Sequence, residues 1–522
     1  MEQAVAQVAG GAVYYAVWTC IIVVTAILLA IGVWGYRIGK KTVQDYVLAG
    51  GTVGLIVLVF YAAFTICSAW TFYGLPGWTY GHGLGGMVPF YIIAHLCQVT
   101  LISVLGIKLW GLARYHGYGT PTSAIVDRYY ADKFLPFFSI INLIFLITYL
   151  ALQPVAIALG LNILTGAPMW VGFVYATIIC VILAFLGGMR SVAWANVLLG
   201  IWFLIAYFGT FFYTIATYPG GYGAMVDKVM QVNPALFNNP DPLYGLTGTK
   251  RAMFLLAYGL NGLAAAAWVH LLFIPMTVRN PKVMKKYPVC QLLMFLAIFA
   301  VGALGGVLAH AIWPQAGVPA LPRADQVFQA MANRIHIWWG AFVYIGALAA
   351  ALSTMGTMVV ASGSLISVDI YKRFINPQAS EARVVWVTRI LLAVLAVAAS
   401  AFGYLCVVGY KAIGLARPVP IADFLVLIAS PGFALNVPLL LGLFWKRATR
   451  EAAVISYVVG FVLLLLGFFY RPLAAIVVRP LLLVMPVQFI LFVVISYLTK
   501  PSPTSVIDKY FTQLNKVLYG ES

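Results

Sequence analysis

Apolar runs of roughly 20 residues recur along the whole chain between short polar connections, and each is long enough for a helix to cross ~30 Å of hydrocarbon. Thirteen can be drawn, at 12–34, 54–75, 85–107, 134–161, 169–187, 192–217, 252–275, 288–313, 337–367, 384–407, 421–444, 452–470 and 474–498. The runs are continuous, whereas a transmembrane β-barrel would show short segments of alternating character. They predict an all-α polytopic membrane protein of about 13 transmembrane helices. One run is unlike a plain lipid-facing helix. Within 54–75, the stretch Phe64-Thr65-Ile66-Cys67-Ser68-Ala69-Trp70 puts small and hydroxyl side chains mid-run, and Gly74-Leu75-Pro76-Gly77 follows. A helix that opens inside the membrane can carry such a stretch, because freed carbonyl and N–H groups are tolerated where they line a cavity.

Composition sharpens this. The 522 residues are 63% hydrophobic and 8% charged, against about 25% charged in a soluble domain. The net charge of +18 does not call for nucleic acid, since Lys and Arg gather in the inside loops of membrane proteins. With the N-terminus outside, 21 of the 31 basic residues fall inside and 9 outside, and Arg389 sits within a run. That bias gives N-out and C-in, which an odd number of spans requires. The six Cys stand singly without CxxC spacing, so neither a disulfide framework nor a cysteine metal site is indicated. Residues Met1 to Gly11 lack the basic start of a cleaved signal, so the first run is expected to be retained. The longest outside loop, Tyr218 to Lys250, has room for a short surface helix. No loop suits a separate soluble domain, and the chain holds no P-loop, GxGxxG or HExxH, which argues against an ATP-driven pump. No obligate protein partner is evident; the lipid bilayer is the expected surrounding.

Polar residues at membrane depth are few. Asp423 starts the run at 421–444 and suits either a helix-start acid or a proton relay. His95 and Gln98 lie in the third run, Asn261 and His270 in the seventh, and His310 late in the eighth. Asn261 and His270 flank Gly262-Leu263-Ala264-Ala265-Ala266-Ala267-Trp268. This low-bulk surface suits close helix packing or room for a solute edged by Asn261, Trp268 and His270. In the ninth run, Ala349-Ala350-Ala351-Leu352-Ser353-Thr354 places adjacent hydroxyls mid-span. They either bond back to carbonyls one turn earlier or offer oxygens to a hard cation. No set of nucleophile, base or metal ligands converges in the runs, so an enzyme is not expected.

Four motifs in order then carry a resemblance. Asp45-Tyr46-Val47-Leu48-Ala49-Gly50-Gly51 precedes the second run, and Ser68-Ala69-Trp70-Thr71-Phe72-Tyr73-Gly74-Leu75-Pro76-Gly77 closes it. Gly187-Gly188-Met189-Arg190-Ser191-Val192-Ala193-Trp194 follows, with Asn196 after it. The last is Ala350-Ala351-Leu352-Ser353-Thr354 leading to Ser367-Val368-Asp369-Ile370-Tyr371-Lys372. With these, about residues 36 to 450 resemble the sodium:solute symporter family, which includes transporters of sugars, proline, pantothenate and short monocarboxylates.

The resemblance implies a leucine-transporter type of fold. Two inverted five-helix repeats would occupy 54–217 and 252–444, with the first helix of each broken near the midplane. Spans at 12–34 and 452–498 would flank them, and 501–522 would form a short cytoplasmic tail. The family's sodium ligands fall on the carbonyls of Phe64, Cys67 and Ala350 and the hydroxyls of Ser353 and Thr354. Candidate solute contacts are Ser68, Trp70, Tyr73, Asn261, Ala265, Trp268 and His270. Departures from the proline branch (Ile66, Asn261, Ala265 and Val269) disfavour a proline-type pocket, and the amides and carboxylate of a sugar pocket are scarce. A small, partly apolar carboxylate fits better, its anion resting on N–H groups of a broken helix. The expectation is a Na+-coupled symporter of a small organic solute, a short monocarboxylate or related acid, in the plasma membrane. H+ coupling through His270, His95 or Asp423, an amino-acid or sugar solute, and a transporter-like sensor are the alternatives.

Overall fold

The apolar runs fold as helices in the computed structural model, which describes residues 11–85, 87–238, 248–313, 321, 323–416, 418–419, 429–470 and 480–519. In chain order the helices are α1 (Gly11–Ile38), α2 (Val43–Leu48), α3 (Leu55–Ile66), α4 (Leu75–His82), α5 (Met87–Tyr115), α6 (Pro121–Asp127), α7 (Leu135–Thr165), α8 (Met169–Thr217) and α9 (Gly221–Val232). Then come α10 (Gly248–Ala265), α11 (Val269–Met276), α12 (Pro281–Leu308), α13 (Val327–Ile335), α14 (Ile337–Ile366), α15 (Glu381–Val407), α16 (Ser430–Ala434), α17 (Val437–Leu441), α18 (Arg450–Phe469) and α19 (Leu481–Leu498). By length and composition, eight described helices can cross a membrane, or ten if each of two bent pairs is one span. Asp423, which suited either a helix-start acid or a proton relay, lies outside the described residues, as does the side chain of His95. The surface helix expected after Tyr218 is α9.

The expected runs 169–187 and 192–217 are two helices that meet at Gly188, where the backbone leaves the helical region (φ 58°, ψ −148°); together they are labelled α8. The polar residue that suggested a loop there, Arg190, pairs with Asp45. Asp45 also accepts from the Lys40 N–H at 2.7 Å. The Tyr46 carbonyl lies where a Cβ on residue 188 would sit, so both the positive φ and the close approach select glycine.

Both interrupted spans are visible. α3 and the following Trp70–His82 segment, which opens with a π turn at Trp70–Gly74, are bent by 62°; α10 and α11 are bent by 46°. At the first break Cys67 leaves the helical region (φ −71°, ψ 80°), and Pro76 sits in the first turn of α4, where its missing N–H costs no ladder bond. At the second, Trp268 takes an extended conformation (φ −65°, ψ 117°). The two broken helices are tied by backbone pairing beyond their ends. Val53 N donates to Thr277 O at 3.1 Å, and Arg279 N donates to Val53 O at 3.0 Å.

α14 is the centre of the bundle: its most apolar window is wholly buried, against one third for α1, α18 and α19. It packs on α8 most extensively, then on α7, α15, α1, α13 and α3. Its sequence explains this. Lipid tails are as apolar as a core, so helices associate by close packing of small residues. A Cβ at Gly346 would come within 2.7 Å of Ala206 Cβ, and one at Gly363 within 2.9 Å of the Thr388 carbonyl.

At the end of the bundle that gathers the basic loops, the chain after α19 folds back as helical turns over Thr504–Tyr519. Tyr510 Oη donates to Ala124 O at 2.8 Å. The Phe511 ring lies against the cationic heads of Lys108, Arg128 and Lys446, at 4.8, 5.2 and 5.8 Å. Buried Arg128 donates to Gly442 O and Trp445 O, each at 2.9 Å. Nearby, buried Asp369 accepts from the hydroxyls of Thr120, Thr122 and Ser139.

Candidate functional site

The first break faces α14. Ser353 Oγ lies 2.6 Å from Phe64 O and 3.0 Å from Ala350 O. Thr354 Oγ1 lies 3.2 Å from each of the same carbonyls. Four oxygens thus converge at fully buried positions. All are neutral. A hydroxyl that donates to a carbonyl keeps lone pairs on its oxygen, so the set can turn its oxygens toward a hard monovalent cation. Of the five residues expected to hold sodium, Phe64, Ala350, Ser353 and Thr354 are brought together. Cys67 forms the turn itself, and its ψ of 80° swings its carbonyl off the helix axis; the α14 hydroxyls bond to Phe64 and Ala350 rather than to it. One turn along, Thr65 and Thr357 share a hydroxyl contact of 3.0 Å, and Asn196 Nδ2 donates to Thr65 Oγ1 at 3.3 Å.

The N–H groups of this break are already engaged. Ser68 N donates to Ile66 O (2.8 Å), Ala69 N to Gln153 Oε1 (3.3 Å), Trp70 N to Ser68 Oγ (3.2 Å) and Thr71 N to Ser68 O (2.9 Å). An anion therefore cannot rest on them as the sequence suggested. The helix start is satisfied locally by a serine side chain and by an amide from α7.

At the second break, amide side chains hold the exposed carbonyls. Gln98 Nε2 donates to Ala265 O at 3.3 Å, and Asn436 Nδ2 donates to Ala267 O at 3.0 Å. Asn436 also bonds to Asn142 Oδ1 at 2.7 Å. Asn261, an expected solute contact, accepts from the Ser430 hydroxyl at its Oδ1. Trp268 and His270 are different. The Trp268 indole N–H and both His270 ring nitrogens are buried without a hydrogen-bond partner among the described residues. Tyr149 of α7 joins the two breaks: its ring lies 5.5 Å from Trp268 and 5.7 Å from His270, and its hydroxyl donates to Ser68 Oγ at 3.1 Å. Trp70 and Tyr73 are buried in the π turn, and the Tyr73 hydroxyl has no partner among the described residues. It lies beside Gly160 of α7, where a Cβ would come within 2.6 Å of it.

Tyr149 thus brings Ser68 of the first break and Trp268 and His270 of the second against one stretch of α7, and Tyr73 meets the same helix farther along, beside Gly160. Buried polar atoms normally find partners, and leaving one unmet costs about 1–3 kcal/mol. Tyr149 and Gln153 were not singled out from sequence. The available signal was the Gln153-Pro154 pair, an amide beside a proline inside an apolar run. His310 is committed elsewhere, its Nε2 2.7 Å from Tyr80 O and its ring stacked on Tyr80.

Comparison with known proteins agrees with this architecture. The model of the sodium:solute symporter family matches residues 46–460. The high-affinity proline transporter PutP of Bacillus subtilis is 27% identical over 446 residues, covering 83% of this chain and 88% of that protein. The sodium/proline symporter of Escherichia coli is 25% identical, covering 84% and 85%. The sodium/pantothenate symporter of Haemophilus influenzae is also 25% identical, covering 81% and 82%. A Na+-coupled sialic acid symporter, solved in a substrate-bound outward-open state, superposes with a TM-score of 0.78 at 17% identity, covering 94% of this chain and 98% of that one.

Proposed function

The chain belongs to the sodium:solute symporter family, and from its place there as a Na+-coupled transporter of the plasma membrane we propose that its solute is a small organic acid carrying one carboxylate. The coupling ion would be held by the carbonyls of Phe64, Cys67 and Ala350 and the hydroxyls of Ser353 and Thr354. The observation that carries this is the convergence of both hydroxyls on Phe64 O. Phe64 lies on a broken helix and the hydroxyls on the central one, so an ion bound among them would pull the two together. Solute would bind beside it, between Ser68, Trp70 and Tyr73 on one side and Ala265, Trp268 and His270 on the other. Its carboxylate would accept from the indole N–H of Trp268 and from His270, and its apolar part would lie on the Ala264–Ala267 surface.

Alternating access would link the two sites. The N-terminus is outside and the C-terminus inside, with five-helix repeats at 54–217 and 252–444. Ion and solute enter from outside, where the sodium gradient and membrane potential favour loading. Each bridges a broken helix to the central bundle, so occupancy of both favours closure, and opening on the other face releases both. Counterflow in vesicles, with and without Na+, tests the reading against pyruvate, lactate, proline, pantothenate and glucose. Na+-dependent exchange of a monocarboxylate is expected; exchange of glucose alone would reject the carboxylate assignment.

A further inference from the structure

We propose that Gln153 is a specificity-determining solute contact, donating from its Nε2 to an acceptor oxygen of the transported solute. The proposal rests on the solute region assigned above and names a further residue in it. Gln153 is fully buried in α7. Its two ends are treated differently: Oε1 accepts from the Ala69 N–H at 3.3 Å, whereas Nε2 has no partner among the described residues. The first contact fixes the plane of the carboxamide against the broken helix. The N–H pair then points away from the Ala69 backbone, and its direction is set before any solute arrives.

The setting selects what it can bind. Gln153 lies one helical turn from Tyr149, on the same face of α7. That face continues to Gly160, beside which the Tyr73 hydroxyl lies. The backbone N–H groups of residues 68–71 are engaged, so side chains must supply the donors. The unpartnered groups on α7 or against it are the Gln153 amide nitrogen, the Trp268 indole N–H and the His270 ring beside Tyr149, and the Tyr73 hydroxyl beside Gly160. The first two are donors only in this arrangement. None of the residues named here is a carboxylate, so an acceptor-rich group, a carboxylate or carbonyl, fits and an ammonium group does not.

Two variants of the full-length protein, reconstituted in vesicles, separate binding from structure. Gln153→Glu keeps an oxygen for the Ala69 N–H and removes the amide donor; Gln153→Met removes both. Uptake of pyruvate, lactate, proline, pantothenate and glucose is measured with Na+ titrations and thermal unfolding. Both variants are expected to raise KM for the carried solute roughly 10- to 100-fold, the range for losing a hydrogen bond to a charged group. The Na+ concentration for half-activation should stay close to wild type in both, and the unfolding midpoint should stay close to wild type in Gln153→Glu and fall by a few degrees in Gln153→Met, which leaves the Ala69 N–H without its acceptor. An unchanged KM in Gln153→Met overturns the proposal. So does a parallel loss of Na+ activation and thermal stability in both variants, which would make Gln153 a structural prop for the break. If the wild type carries only glucose, the carboxylate reading falls, and the KM shift for glucose still decides the role of Gln153.

Discussion

At the first break the Phe64 carbonyl is met by the hydroxyls of Ser353 and Thr354. At the second, the carbonyls of Ala265 and Ala267 are met by the amides of Gln98 and Asn436. Both arrangements satisfy backbone groups that the apolar layer would otherwise leave stranded. They differ in what else they allow. A hydroxyl is donor and acceptor at once, so rotation about one bond turns it from a carbonyl's partner into a cation's ligand. An amide NH2 offers only hydrogens and cannot take that second role. The first break is therefore convertible and the second is anchored, and the unpartnered nitrogens of Trp268 and His270 are presented from the anchored one.

The sharpest way to break this contrast is to remove the convertible pair. Ser353→Ala combined with Thr354→Ala should lower Na+-driven uptake more than about 100-fold, since two ligands and two carbonyl partners go together. Na+ titration of uptake is the measurement, and retained activation would place the ion elsewhere. A smaller effect is expected on the anchored side. Trp268→Phe keeps most of the ring and removes the N–H, and should raise solute KM by about tenfold with Na+ half-activation within twofold of wild type. A matching shift in Na+ dependence would show that the two breaks do not divide the work. Smallest is Asn436→Ala, which frees Ala267 O and leaves Asn142 short of a partner. It should cost about 1–2 kcal/mol of stability, read as a lower unfolding midpoint, with little change in half-activation by Na+.

What could be seen in advance follows the range of the interactions. The first break was legible because Ser68 and the Gly74–Gly77 stretch interrupt an apolar run, and Ser353-Thr354 stood out for the same reason. The second break lies in an alanine run, a fair helix former with nothing local to stop it; only the family resemblance pointed there. The bond from Ser430 to the Asn261 Oδ1 joins residues 169 positions apart, so composition could not reveal that partner. The junction between 169–187 and 192–217 was legible because Gly187-Gly188 and Arg190 interrupt the apolar pattern, and the backbone does leave the helical region at Gly188. Gln153 looked like any solitary amide, because its two-sided use depends on the Ala69 N–H, which only folding brings alongside.

One consequence of the Ser353 and Thr354 contacts concerns the unladen half of a transport cycle. A symporter must turn around without cargo to begin again, and a bare, charged cage would resist being carried through the membrane in that condition. Here the five oxygens proposed to hold the ion are neutral, and four of them, all but the Cys67 carbonyl, already bond to one another. Discharging the ion would exchange one set of partners for another instead of exposing unmet dipoles. The same exchange limits how tightly the ion can be gripped, because each ligand has a competing bond to return to. With the ion held as proposed, modest grip and an unhindered return would come from the same two hydroxyls, and a substitution that tightened one would slow the other.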